Sequence, residues 1–202
     1  MTVDLGLPTV VVGHPQYAAG LPAVWTDDAD AVRSAVARLT ELGHSILARV
    51  GERSDLAHAR IRNEAFINAC ADAGLPTPYI LEADASGDSG RQPTRELLRR
   101  PRRPTAILYD NDVMTVAALG AVREVGLSVP RDVSLIAYGG SILCEISNPP
   151  LSALSHDVYS YGAHAAQLLL RNIQAEGSAS SERDATPVLV ERGSTGTVPA
   201  TA

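Results

Sequence analysis

Five short polar segments each follow an apolar run of the kind that makes a buried strand. They are Gly51-Glu52-Arg53, Asp84-Ala85-Ser86, Asp110-Asn111-Asp112, Gly139-Gly140-Ser141 and His156-Asp157. Their residue types suit recognition of a small polar molecule: carboxylates accept, hydroxyls and amides do both, and glycine lets a backbone come close. Arg62, near the start of a helix, adds a fork of donors that matches hydroxyls or carboxylates. Asn111 carries a donor and an acceptor on one short side chain. Each also has a plain structural reading. Arg62 could be a surface helix residue, and Asn111 could shape a strand-to-helix turn with Asp112 as its cap. Bond-making chemistry finds no comparable support. No G-x-S-x-G elbow exists, so Ser141 and His156 do not make a nucleophile pair. No G-x-G-x-x-G or phosphate loop occurs. His14, His44, His58, His156 and His164 lack the close spacing of metal ligands. No catalytic residue, cofactor or metal is expected.

The elements that would position these groups follow a repeat of helix, glycine, strand. Ala31, Val32, Ala35, Val36 and Leu39 lie on one helical face before Gly43. Ile61, Ala65 and Ala69 repeat the spacing before Gly74, and Met114, Ala117, Ala118, Ala121 and Val125 do so before Gly126. Glycine just past a helix accepts the left-handed backbone that closes it. Short apolar runs follow at residues 46–50, 79–81 and 133–137, and residues 106–109 follow a helix expected over 94–99. Helices alternating with such runs imply a parallel sheet with right-handed crossovers. In open sheets of this kind ligands sit beyond the carboxyl ends of the strands. Further strands are expected at 9–12, 23–26 and 188–190. One more helix, at 158–173, carries Val158, Tyr161, Gly162, Ala165 and Leu169 on one face. Residues 174–187 are small and polar and read as an exposed loop.

Bulk properties narrow the class. With 45% hydrophobic and 20% charged residues, the 202-residue chain has ordinary globular composition and can bury a sizeable core. Its net charge of −6 opposes duplex binding, which needs a broad cationic face. The cluster Arg99-Arg100-Pro101-Arg102-Arg103 is therefore read as a solvated turn. Two cysteines, Cys70 and Cys144, do not make a disulfide framework and are expected reduced and packed. No apolar run approaches the ~20 residues of a membrane helix, and no signal peptide is apparent at Met1. The expected compartment is the cytoplasm.

One stretch is more specific than any of these features. VPRDVSLIAYGGSILCEISNPPLSALSHD, from Val129 to Asp157, resembles the segment by which the LacI/GalR family of bacterial transcription repressors is recognised. TDDADAVRSAVARLTELGH resembles that family's helix leading into the second effector subdomain. RIRNEAFINACADAGL resembles its Arg-x-x-Gly-Phe helix, with Ala65 in place of the glycine. RPTAILYDNDVMTVAALGAVREVGLSVP, PLSALSHDVYSYGAHAAQLLL and LVERGSTG follow in family order. The resemblance implies an α/β fold, a parallel-sheet three-layer sandwich of periplasmic-binding-protein-like type, with one subdomain complete and the other partial. Residues 1–28 and 154–186 would be a remnant of the N-terminal effector subdomain. Residues 29–153 and 187–202 would be the C-terminal one, and no DNA-binding domain would lie in this chain.

The implied function is the effector-binding and dimerisation portion of a transcriptional regulator. Its partners would be a small-molecule effector, sugar-like or small and anionic, a second copy, and operator DNA through a domain outside this chain. In family members the residues matching Arg62 and Asn111 contact the effector, and that role is carried to these two. The loops add Asp84, Ser86, Tyr138, Gly139 and His156. Two departures bear on the ligand. Sugar- and purine-binding relatives place an Asp where Gly139 stands, and often an aromatic where Ala85 stands. A hexose is therefore not expected, and a small anionic or amide-bearing compound is a better match than a neutral sugar. The alternatives are a transporter's solute-binding protein and a truncated remnant without an effector.

Overall fold

A computed structural model describes residues 7–174 and 180–198. The elements run β1 (Val11–Val12), β2 (Ala23–Trp25), α1 (Asp28–Glu41), β3 (Leu47–Glu52), α2 (Ala57–Asp72), β4 (Tyr79–Ala83), α3 (Gly87–Leu98) and β5 (Ala106–Tyr109). They continue α4 (Asp112–Glu124), β6 (Ser134–Gly139), α5 (Ile142–Ile146), β7 (Ser152–Ser155), α6 (Val158–Gln174), β8 (Glu182–Arg183) and β9 (Val188–Val190). The chain divides into two compact units, one of residues 1–27 with 157–186 and one of residues 28–156 with 187–202.

The larger unit is built on a six-stranded sheet of order β4-β3-β5-β6-β7-β9. Every pairing is parallel except that of β9, which runs antiparallel to β7. Strand residues alternate between its two faces. Ala48, Val50, Ile107, Tyr109, Leu135 and Ala137 pack with α3 and α4. Leu47, Ala106, Leu108, Ile136, Tyr138 and Leu154 pack with α1 and α2. Two helical layers thus cover the sheet, and its central strands are apolar on both sides, as a parallel sheet requires.

The helices form where their sequences favour it. Helix α1 carries Asp28 and Asp30 in its first turn, where the helix dipole favours negative charge, and buries Ala31, Val32, Ala35, Val36 and Leu39 as expected. Helix α3 starts at Gly87, well before the expected residue 94. Ser86 caps it by accepting from the Ser89 amide, and Pro93 is carried inside it. Gly90 permits the close approach of α3 to α4: a Cβ there would fall 2.4 Å from the Met114 carbonyl oxygen. The five-residue α5 was not foreseen. Both cysteines are buried and free.

A polar seam closes the unit. Ser194 Oγ donates to the Leu135 carbonyl at 2.6 Å and accepts from the Ser152 amide at 2.8 Å. His44 is buried between Thr105 Oγ1 and the Gly196 carbonyl, each 2.9 Å from a ring nitrogen. Burial holds its pKa below the ordinary 6.5.

The smaller unit has the three-stranded order β1-β2-β8, all parallel. Part of the expected loop at 174–187 is β8, while residues 175–179 lie outside the described residues. Side-chain polarity concealed β8, because pairing with β2 uses only its backbone. Tyr161 donates its hydroxyl to the Val24 carbonyl at 2.9 Å, tying α6 to β2. Leu168 and Asn172 are the helix's buried residues, whereas Val158, Tyr159, Leu170 and Ile173 are exposed. Among the described residues no helix is long and apolar enough to cross a membrane.

Candidate functional site

Because β3, β4, β5, β6 and β7 are mutually parallel, their carboxyl ends share one edge of the larger unit. The chain leaves β3 for β4 on one side and then builds β5, β6 and β7 on the other. The order therefore reverses between β3 and β5, and such a switch point opens a crevice in which ligands bind. At this switch point stands a buried carboxylate. Asp110 follows β5; its Oδ2 accepts from the Glu52 amide at 2.6 Å, and its Oδ1 accepts from Arg49 Nη2 at 2.6 Å and from Arg62 Nη1 at 3.0 Å.

Simple periodicities bring these groups together. Leu47 faces α1 and α2, so Arg49, two residues on, faces the same way. Asp110 and Tyr138 share that face by the same alternation. Arg62 lies one turn before Phe66, whose ring is in the core beneath α2. Its guanidinium lies 3.5 Å over the Tyr138 ring and donates from Nε to Asp28 Oδ2 at 2.7 Å. Asp28 is the first residue of α1.

The cluster is nearly dry. Arg49 and Asp110 side chains are each 1% exposed, and those of Arg62 and Asp28 each 12%. Two arginines face two aspartates, so the formal charges cancel. Burial opposes the Asp110 charge, but Arg49 and Arg62 outweigh it and hold the carboxyl below its ordinary pKa. Burial likewise opposes the Arg62 charge, and Asp28 and Asp110 outweigh it to raise the pKa. For Arg49 burial dominates and lowers the pKa, with Asp110 as the main opposing influence. Burial pushes the Tyr138 hydroxyl up.

A second set of expected site residues forms a turn beside this cluster. Asn111, rather than Asp112, caps α4: its Oδ1 accepts from the Met114 amide at 2.8 Å. Its Nδ2 donates to the Ala85 carbonyl at 3.2 Å, across to the loop after β4. Ala85 has a left-handed backbone, φ 68°. Asp84 Oδ1 accepts from the Ser86 amide at 3.0 Å, and hydrogen bonds from Ser86 and Ser89 bring its pKa down to about 2. Gly139 ends β6 and Gly140 follows it, with φ 114° and 80°. Asp112 Oδ2 accepts from the Ser141 amide at 3.3 Å. His156 follows β7 and is half-buried.

Of the residues singled out in the sequence, Arg62 and Tyr138 are in direct contact. Asp84, Ser86 and Asn111 are gathered around Ala85, and Gly139 and His156 stand at the ends of their strands. Arg49 and Asp28 were missed as site residues. The available signal was Arg49 itself: a charge inside a run otherwise fit for burial on both faces needs a counter-charge on a neighbouring strand. The adjacent strand is followed directly by Asp110, two residues past Leu108, the register partner of Arg49. The cluster offers no nucleophile and base in contact. It presents a guanidinium plane stacked on Tyr138 and flanked by the acceptors Asp28 and Asp110.

Comparison with known proteins places the fold in a family. A family model described as a periplasmic binding protein-like domain matches residues 36–195. The HTH-type transcriptional repressor CytR of Escherichia coli (strain K12) is 30% identical over 181 residues, 89% of this chain and 53% of its own length. The chain spans about half the length of the curated relatives it matches. Among solved structures, a LacI family transcriptional regulator from Bifidobacterium animalis subsp. lactis is 34% identical with a TM-score of 0.88, covering 96% of this chain and 71% of that one. A LacI family regulator from Enterococcus faecium with bound ribose is 28% identical with a TM-score of 0.83, covering 95% and 71%.

Proposed function

Since the chain belongs to the LacI family of transcriptional regulators and carries their periplasmic-binding-protein-like domain, we propose that it is the effector-sensing and dimer-forming portion of such a regulator. It would act in the cytoplasm and reach operator DNA through a helix-turn-helix domain of the kind named in its relatives. A bound small molecule would shift the balance between conformations of differing DNA affinity. The reading that this is a transporter's solute-binding protein is not favoured, because the curated relatives are repressors.

The observation that carries the proposal is Arg62, stacked on Tyr138 and held between Asp28 and Asp110 at the switch point of the sheet. It also bears on the ligand. An anion would meet an arginine whose charge two carboxylates already balance, so the anionic class favoured by the sequence loses its main support. A neutral compound bearing several hydroxyls can instead accept from Arg62 and donate to the flanking carboxylates. Asp84, Ser86, Tyr138, Gly139 and His156 would line the approach, with Asn111 holding the loop that carries Ala85.

A thermal-shift screen followed by calorimetry tests this with D-ribose, adenosine, cytidine, D-glucose, malate and citrate. We expect a neutral hydroxylated compound to stabilise the protein, and Arg62→Met to lower its affinity by about ten- to a hundredfold, the loss of a charge-assisted hydrogen bond. Stabilisation by the acids alone, or by a sugar that binds Arg62→Met unchanged, would overturn the reading.

A further inference from the structure

We propose that Arg49 is a positioning residue of this site: acting through Asp110, it fixes the guanidinium of Arg62 against Tyr138. The functional consequence rests on the effector-site reading above; the geometry does not.

An arginine that is 1% exposed within a strand is costly, because removing its charge from water is offset only by close pairing. Stability alone would be served as well or better by an apolar residue at this position, next to Leu47 and Leu108 on the same face. What Arg49 supplies instead is one short contact, Nη2 to Asp110 Oδ1 at 2.6 Å. Its Nε and Nη1 are buried and make no hydrogen bond among the described residues. The residue thus contributes a directed charge rather than a saturated network.

That charge falls on the carboxylate that orients Arg62. Asp110 is held from three sides: Arg49 and Arg62 at Oδ1, and the Glu52 amide at Oδ2. With Asp110 immobile, Arg62 is gripped at Nη1 by Asp110 and at Nε by Asp28, and its plane is set over Tyr138. Without Arg49, Asp110 would keep a single cationic partner, and its carboxylate could rotate towards solvent with Arg62 following. The backbone is arranged around the same contact. A Cβ at Gly51 would fall 2.4 Å from Arg49 Nη1 and 3.0 Å from Asp110 Oδ2, so a side chain there would drive the pair apart. No positive φ accounts for this glycine; the room it leaves for the guanidinium does.

Proton exchange at the arginine Nε–H, followed by nitrogen-15 NMR on the full chain, reads the grip on Arg62 without any ligand. The Arg62 resonance is identified by its loss in Arg62→Lys. In the native protein it should exchange slowly, as a buried donor to Asp28. In Arg49→Met it should exchange at least about tenfold faster, the scale of one weakened charge-assisted bond. Gly51→Ala should do the same with every charge retained, and it serves where Arg49→Met does not fold. Arg49→Lys, which keeps the charge, should recover most of the protection. Native exchange in Gly51→Ala, or in a folded Arg49→Met, would overturn the proposal. Parallel titrations with D-ribose, adenosine, cytidine and D-glucose separate the two readings: if none of them binds the native protein, the neutral-effector reading falls, while the Arg62 exchange rates still decide the role of Arg49.

Discussion

Asn111 donates its side-chain amide to the carbonyl of Ala85, joining the loop after β5 to the loop after β4, while its oxygen caps α4. One side chain thus does two structural jobs at a position where the sequence pointed to ligand contact. Ala85 takes a left-handed backbone, which costs a non-glycine residue about 1–2 kcal/mol, and the bond from Asn111 helps hold it there.

Asn111→Ala should therefore destabilise the larger unit before any effect on a ligand is considered. Loss of an N-cap costs about 1 kcal/mol. For a chain of this size that lowers Tm by about 2–4 °C. Asn111→Asp keeps the capping oxygen and loses only the donation to Ala85, so it should fall between native and Asn111→Ala. Thermal unfolding of the three proteins checks the order. Equal Tm values for Asn111→Asp and Asn111→Ala would mean that the Ala85 bond, not the cap, is what matters.

Gly139 and Gly140 are adjacent but should respond differently to alanine. Both have positive φ, so each carries about 1–2 kcal/mol of backbone strain on substitution. At Gly139 nothing lies within 4 Å of the added Cβ, whereas at Gly140 it would sit 2.6 Å from Ser155 Oγ. Gly140→Ala should be the more destabilising by at least about 1 kcal/mol, the low end of overpacking costs. Gly140→Ala/Ser155→Gly should recover that difference. Chemical denaturation gives both quantities.

How much was legible follows from how each feature is encoded. The buried face of α1 could be read because Ala31, Val32, Ala35, Val36 and Leu39 keep an unbroken helical period. The start of α3 could not, because Pro93 reads as a boundary while the deciding signal, the cap at Ser86, is a single hydroxyl. Strand β8 was hidden because its Glu182 and Arg183 side chains are polar and only its backbone pairs with β2. In the site, Arg62 and Tyr138 were visible as residue types. Arg49 was not, because one charge does not interrupt an apolar run, and its partner Asp110 lies 61 positions away.

Two histidines should give opposite pH dependences. Burial depresses the pKa of His44 below 6.5. Its contribution to stability is full above that value and is lost as pH falls through the folded pKa. His164 is raised above 6.5 by hydrogen bonds to Glu182 and then Asp184. Its contribution is full below 6.5 and is lost as pH rises through its folded pKa. Between about pH 5 and 8, His44→Gln should flatten the acid side of the stability profile and His164→Gln the neutral side. A native profile unchanged by either substitution would show that neither ring is coupled to folding.

The exposed apolar side chains of α4 and α5 make a testable face for self-association. Val113 is 45% exposed, Ile142 62% and Ile146 70%, and α4 lies against α5. Isolated apolar residues at a surface are ordinary, but three on adjoining helices make a patch of the sort that interfaces cover. The exposed Val158, Tyr159, Leu170 and Ile173 of α6 form a second apolar face. If copies meet through α4 and α5, Ile142→Glu with Ile146→Glu would place carboxylates in the contact, and the desolvation they require should weaken association at least about tenfold, or 1.4 kcal/mol. The folded unit should keep its Tm, because neither side chain is in the core. Light scattering across micromolar concentrations should then show a dimer for the native chain and a monomer for the double variant. A dimer that survives it, but is lost with Leu170→Glu and Ile173→Glu, would move the interface to α6.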